Sequence, residues 1–202
     1  MNIFCVPKSL IFSEPMILPR LQYITHPNED YSDLSWVSRL ADGGVEWIQL
    51  RIKEDDLEKF HPHLHYKSTF IEIAELMQQE CHKNKILLTI NDHADVLRFS
   101  SANGLHFGLT DNLTKEDLSD ISLIGCTAHT LDDMLSYKNV KVDYFGVGPL
   151  RKTETKSNTK KALGLDGYQS LLIEMKNKGL EVPVFAIGGI AYSDIEGLMK
   201  VG

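Results

Sequence analysis

Residues 47–53 read Trp47-Ile48-Gln49-Leu50-Arg51-Ile52-Lys53, an apolar strand with a polar end. Alternate side chains of an extended chain share a face, so Ile48, Leu50 and Ile52 point one way and Gln49, Arg51 and Lys53 the other. One face calls for packed hydrocarbon. The other offers an amide, a guanidinium and an ammonium, and a planar fork beside a compact charge suits a phosphate or diphosphate. A solvent-exposed edge strand would show the same alternation, so the choice rests on how the other strands end.

Working outward, residues 21–25 read as a first strand, 45–51 as the second and 86–90 as a third ending in Asn91-Asp92. Residues 104–108 form a fourth that leads into Leu109-Thr110-Asp111, 123–128 a fifth and 144–149 a sixth. A polar loop from Arg151 to Lys161 follows, and a seventh strand over 184–187 runs into Gly188-Gly189. Between the strands lie helical stripes. One covers about 33–41, capped by Ser32 and stopped by Gly43-Gly44; another covers 68–83, with Phe70, Ile71, Ile73, Ala74 and Met77 at helical spacing. Further helices are expected over 93–101, after a Thr130/Asp133 capping box, over 166–177, and behind a Ser193/Glu196 cap.

Strand and helix alternating at this spacing imply parallel strands with helical crossovers. A closed barrel is preferred over an open doubly wound sheet. Polar or glycine-rich residues follow the carboxyl ends of strands two to seven, and a barrel gathers all those loops around one mouth. The expected class is therefore α/β, a (β/α)8 TIM barrel, with the eighth β/α unit missing because the sequence reaches Gly202 where an eighth strand should begin. Residues 1–20, with Pro15 and Pro19 and no clear period, are read as an irregular lead-in to one catalytic domain over 21–202, and Met16 is a candidate start.

Composition narrows the function. No Pro/Gly/Ser-rich linker divides the 202 residues, and a net charge of -7 disfavours a nucleic-acid partner. Apolar runs such as Ile86-Leu87-Leu88 fall far short of the ~20 residues that span a bilayer, so a soluble, cytoplasmic protein is expected, with a homo-oligomer left open. Cys5, Cys81 and Cys126 are widely spaced and read as reduced packing residues. His61, His63 and His65 either hold a metal or line a surface loop, the loop being favoured because no other ligand stands with them at a familiar spacing.

The residues that follow the strands carry the chemistry. Arg51, Lys53 and Lys156 supply positive charge, Asn91, Thr127, Thr153 and Thr155 hydrogen bonds, and Gly188-Gly189 a backbone that approaches a phosphate closely. Asp92 and Asp111 are too few for calcium but suit magnesium, which keeps water and takes one or two carboxylates with substrate oxygens. Asp92 also has a structural reading, as the cap of the following helix, and His106 inside strand four reads as a packed, hydrogen-bonded core histidine.

Gln49-Leu50-Arg51-Ile52-Lys53, Asn91-Asp92, Gly104 to Gly108 with Asp111, Gly125 to Thr130, Gly148-Pro149 with Thr153 to Lys156, and Ala186 to Ile190 together resemble the thiamine phosphate synthase (pyrophosphorylase) family, in the right order from Leu21 to Gly202. The resemblance implies coupling of 4-amino-2-methyl-5-hydroxymethylpyrimidine diphosphate to 4-methyl-5-hydroxyethylthiazole phosphate with release of pyrophosphate. It implies that Gln49, Arg51, Lys53, Asn91, Thr127 and Lys156 hold the pyrimidine diphosphate, with Arg51, Lys53 and Lys156 acting in catalysis. It further implies that Asp92 and Asp111 bind Mg2+, and that Thr153, Thr155 and Gly189 hold the thiazole phosphate. Thr127 stands where many members have Ser, which keeps the hydroxyl. Two rival readings remain: a thiazole tautomerase-like isomerase using His129, and a non-catalytic binder of the pyrimidine diphosphate. Asp111 and the complete Thr-x-Thr-Lys stretch favour the synthase over the first.

Overall fold

The computed structural model describes residues 17–26, 29–60, 65–109, 118, 121–152 and 161–202. Seven strands, β1 Tyr23–Ile24, β2 Trp47–Leu50, β3 Leu87–Asn91, β4 Gly104–Phe107, β5 Ile124–Ala128, β6 Tyr144–Val147 and β7 Val184–Ala186, form one sheet in sequential order. Every pairing is parallel. The helices are α1 Ser35–Asp42, α2 Glu54–Phe60, α3 Tyr66–Lys83, α4 Ala94–Ser100, α5 Leu131–Ser136, α6 Gly164–Asn177 and α7 Ile195–Val201. A doubly wound sheet reverses its strand order at a switch point, whereas this one never does, which is the order of a barrel wall. Among the described residues the wall has seven strands, so the expectation of a TIM barrel holds in its coarser form, a barrel-like parallel sheet.

The alternation in Trp47 to Lys53 divides the interior in two. Ile48, Leu50 and Ile52 join Leu88, Ile90, Leu105, Phe107, Cys126, Phe145 and Val147 in the larger core, where the sheet meets Val37, Phe70, Met77, Met134, Tyr168 and Leu171 of the helices. The other face builds a separate cluster of Trp47, Leu123 and Tyr144, with Leu18, Leu87 and Phe185 packed against it. The register keeps each face continuous: Gln49 pairs with Thr89, Thr89 with Gly104, Asn91 with His106, His106 with Gly125, and Thr127 with Gly146. Leu18 thus ties the end of the expected lead-in to the inner cluster. Among the described residues, buried Cys81 and Cys126 are in no disulfide, as read, and burial pushes the Cys81 thiol up to about 12; Cys5 lies outside the described residues.

Some local expectations need correction. Ser32 does not cap α1: its N–H and hydroxyl both donate to Asp30 Oδ1, at 2.9 and 2.6 Å, and the helix starts at Ser35, whose N–H donates to Asp33 Oδ1. Helix α2 escaped the periodicity because its described side chains bury only Leu57, although Glu54, Asp55 and Asp56 in its first turn favour a helix N-terminus. Ser193 is not a cap either; a 3-10 turn spans Tyr192–Asp194, and Asp194 Oδ2 accepts from Ala191 N–H at 2.7 Å. The Thr130/Asp133 capping box is present, with Asp133 N–H donating to Thr130 Oγ1 at 3.1 Å and Thr130 N–H to Asp133 Oδ2 at 3.0 Å.

Gly125 makes room inside the wall. A Cβ there would stand 2.0 Å from Tyr144 Cζ, so any side chain would displace the buried ring. Gly125→Ala is expected to lower stability by about 1–3 kcal/mol, as overpacked cores do, read as a lower urea midpoint at unchanged slope.

Candidate active site at the carboxyl ends of the strands

The site stands on aromatic packing. The rings of Trp47 and Tyr144 meet edge-on at 4.7 Å and those of Trp47 and Phe185 at 5.1 Å, a favourable geometry for the aromatic quadrupole. Above this floor the inward face carries Gln49, Thr89, Asn91, His106 and Thr127. The Trp47 indole N–H donates to Thr89 Oγ1 at 3.2 Å, and His106 lies between Tyr144 Oη and Thr127 Oγ1, 3.0 Å from each. His106 is thus a packed, hydrogen-bonded core histidine, as its place inside a strand suggested.

Gln49 and Asn91 come together from adjacent strands, with Gln49 Nε2 donating to Asn91 Oδ1 at 2.6 Å. Gln49 is 2 % exposed, and its Oε1 has no hydrogen-bond partner among the described residues. An amide oxygen so buried is an acceptor waiting for a donor, because an unmet buried polar atom costs about 1–3 kcal/mol.

Arg51 is held by its main chain. Its N–H donates to Thr25 Oγ1 at 2.9 Å, and that hydroxyl donates to Arg51 O at 3.1 Å. The half-buried guanidinium has no carboxylate within ion-pair distance among the described residues, and the same is true of exposed Lys53. Asp92 follows Asn91 with φ at +63°, a left-handed conformation that Asp tolerates better than most, and its N–H donates to His106 O at 2.8 Å. The N-cap of α4 is His93, one residue beyond Asp92.

Tyr66, from α3, joins two of these strand ends. Its hydroxyl stands 2.8 Å from both Ile52 O and His93 Nε2, donating to the carbonyl and accepting from an Nε2–H. Both His93 and Tyr66 also meet the Phe70 ring. The loop after β2 and the loop after β3 are therefore cross-braced behind Arg51 and Asp92.

Around the wall, His129 Nδ1 donates to the carbonyl of Gly148, linking the ends of β5 and β6. At the end of β7, Gly188 and Gly189 have φ of +80° and +73°, and a Cβ on Gly188 would stand 2.6 Å from Pro149 Cβ. Arg151 secures that turn, with Nη1 donating to Gly189 O at 2.8 Å and the guanidinium paired with Asp194. The pairing holds the Asp194 carboxyl below the usual carboxylate range.

Gln49, Arg51, Lys53, Asn91, Asp92, Thr127 and Gly189 thus lie at or just beyond the carboxyl ends of their strands. Asp111, Thr153, Thr155 and Lys156 lie outside the described residues, as do His61 and His63 of the histidine cluster, while His65 is the exposed N-cap of α3. No group of three His, Cys, Asp or Glu is placed to hold a metal among the described residues. Sequence reasoning missed Thr25, Tyr66, His93, Tyr144 and Arg151. Each acts across the fold, on a partner that stands on another element.

The family model described as thiamine monophosphate synthase matches residues 21–202. The chain belongs to that family. Membership makes it a transferase of thiamine biosynthesis. It is 35% identical over 185 residues to the thiamine-phosphate synthase of Bacteroides fragilis, covering 90% of this chain and 86% of the relative. It is 36% identical over 186 residues to that of Flavobacterium johnsoniae, covering 91% and 83%. In fold it is similar to the thiamine phosphate pyrophosphorylase of Pyrococcus furiosus, with a TM-score of 0.71 at 23% identity over 91% of this chain and 81% of that one.

If Tyr66 braces the two loops, Tyr66→Phe should lower stability by about 1 kcal/mol, the worth of a net hydrogen bond, and speed amide exchange at residues 51–53 and 92–94. Exchange unchanged at both loops would show that the hydroxyl braces neither.

Proposed function

We propose that this protein is a magnesium-dependent thiamine phosphate synthase, joining 4-amino-2-methyl-5-hydroxymethylpyrimidine diphosphate to 4-methyl-5-hydroxyethylthiazole phosphate and releasing pyrophosphate. The observation that carries it is the pairing at the mouth of a buried, partly unmet Gln49–Asn91 amide couple with cations that have no carboxylate partner among the described residues. An aminopyrimidine carries the N–H donors that Gln49 Oε1 lacks. Its diphosphate carries the charge that Arg51, Lys53 and Lys156 would meet.

In this reading Gln49, Asn91 and Thr127 orient the pyrimidine, while Arg51, Lys53 and Lys156 stabilise the negative charge that grows on the departing diphosphate. With the diphosphate gone, the ring's amino group stabilises the exocyclic cation, and the thiazole nitrogen captures it. No protein nucleophile is required. Thr153, Thr155 and the open Gly188-Gly189 turn would hold the thiazole phosphate and so fix the distance between the two rings. Asp92 fits a magnesium site by its chemistry, a hard oxygen donor next to Asn91 at the mouth, and Asp111 would supply the second carboxylate. Bound there, magnesium would neutralise the diphosphate as a leaving group.

The test is a coupling assay with both substrates and magnesium, reading thiamine phosphate after oxidation to its fluorescent thiochrome form. Product formation is expected. Its absence from folded protein would sink the reading. Arg51→Ala is expected to lower kcat/KM by at least about a hundredfold with the melting temperature nearly unchanged, because the guanidinium meets ligand and not core. Asp111→Asn should raise the magnesium concentration needed for half-maximal rate; an unchanged requirement would remove Asp111 from the metal site.

A further inference from the structure

The family reading leaves a line of hydrogen bonds beneath the site unused. Gln22 Nε2 donates to Tyr144 Oη at 3.3 Å, Tyr144 Oη meets His106 Nδ1 at 3.0 Å, and His106 Nε2 meets Thr127 Oγ1 at 3.0 Å. Tyr144, His106 and Thr127 are buried, Thr127 at 9 % exposure and at the end of β5. With one acceptor site taken by Gln22 and Thr89 as its other side-chain neighbour, the Tyr144 phenol can donate to the imidazole Nδ1 at 3.0 Å, and burial keeps the phenol protonated well beyond its usual range. A neutral imidazole that accepts at Nδ1 carries its proton on Nε2 and donates it to Thr127 Oγ1. The Thr127 hydroxyl proton is then directed away from His106.

We propose that Tyr144 and His106 are positioning residues that fix the His106 tautomer and thereby present Thr127 as a hydrogen-bond donor to an acceptor atom of the pyrimidine diphosphate. This rests on the reading of Thr127 as a contact to that substrate. In this sense the line begins outside the mouth, with Gln22 just before β1 as its first donor. If the chain ran in the opposite sense, with Nδ1–H donating to the phenol, Thr127 would spend its proton on His106 and face the substrate as an acceptor, unsuited to a polyanion. Gly146 keeps the imidazole in its seat, since a Cβ there would stand 3.0 Å from His106 Cε1.

The experiment uses the full chain labelled with 15N-histidine. Long-range proton–nitrogen correlation near neutral pH reads the tautomer, and the signal missing in His106→Asn assigns the residue. His106 is expected as the neutral Nε2–H form. In Tyr144→Phe that preference should weaken, and KM for the pyrimidine diphosphate should rise roughly tenfold with kcat changed far less, the worth of one oriented hydrogen bond to a charged partner. A wild-type Nδ1–H tautomer overturns the proposal, and needs no variant to fold. So does a folded Tyr144→Phe with unchanged tautomer or unchanged KM. Thr127→Val separates the two layers of the argument: unchanged KM there would remove Thr127 as a substrate contact, whatever tautomer His106 holds.

Discussion

The inward face of the sheet has to be filled, and the edge-on packing of Trp47 against Tyr144 and Phe185 fills it. A barrel wall with polar residues at its mouth needs a dry floor, because buried amides, hydroxyls and an imidazole keep their geometry only where water does not compete. The two large rings supply that floor, and each also carries a polar atom upward. Trp47 donates to Thr89, and Tyr144 meets His106. Space for them comes from glycine: Gly125 and Gly146 stand opposite His106 and Thr127 in the register, where side chains would collide with Tyr144 or His106. Floor, hydrogen-bonded layer and mouth are therefore one stack, and a change low in it reaches the substrate through the layer above.

The electrostatics of the mouth run against the rest of the molecule. The chain carries a net charge of -7, yet Arg51 and Lys53 extend from the end of β2 without ion-pair partners among the described residues. The cations that are paired serve structure. Arg151 bonds Asp194 and the Gly189 carbonyl, and Lys67 bonds Asp95 at 2.5 Å. Beside the buried Gln49–Asn91 couple, a diphosphate would bring the charge and the oxygens to match Arg51 and Lys53.

How much of this was legible follows from the range of each signal. The strand order and the division of the wall into two faces were readable, because alternation is local and survives in a single segment such as Trp47 to Lys53. The Thr130/Asp133 box was readable for the same reason. Helix α2 was not, since only Leu57 among its described side chains is buried and a helix with so little apolar surface has no stripe. Gln49 was legible as a polar residue facing the site, but its burial and its bond to Asn91 depend on the neighbouring strand. Thr25, Tyr66 and Arg151 bond main-chain carbonyls of Arg51, Ile52 and Gly189, and a carbonyl leaves no mark in the sequence. Their work became visible only once the strand ends stood side by side.

The claim that everything else leans on is that the ligand sits on the amide couple and the unpartnered cations at the carboxyl ends of β2 and β3. A crystal structure of the protein with the pyrimidine diphosphate and magnesium, without the thiazole, tests it most directly. The account predicts the ring's amino group on Gln49 Oε1 and the diphosphate against Arg51 and Lys53. A substrate bound at the amino-terminal end of the strands, or one at the mouth with Gln49 and Arg51 out of contact, would contradict it.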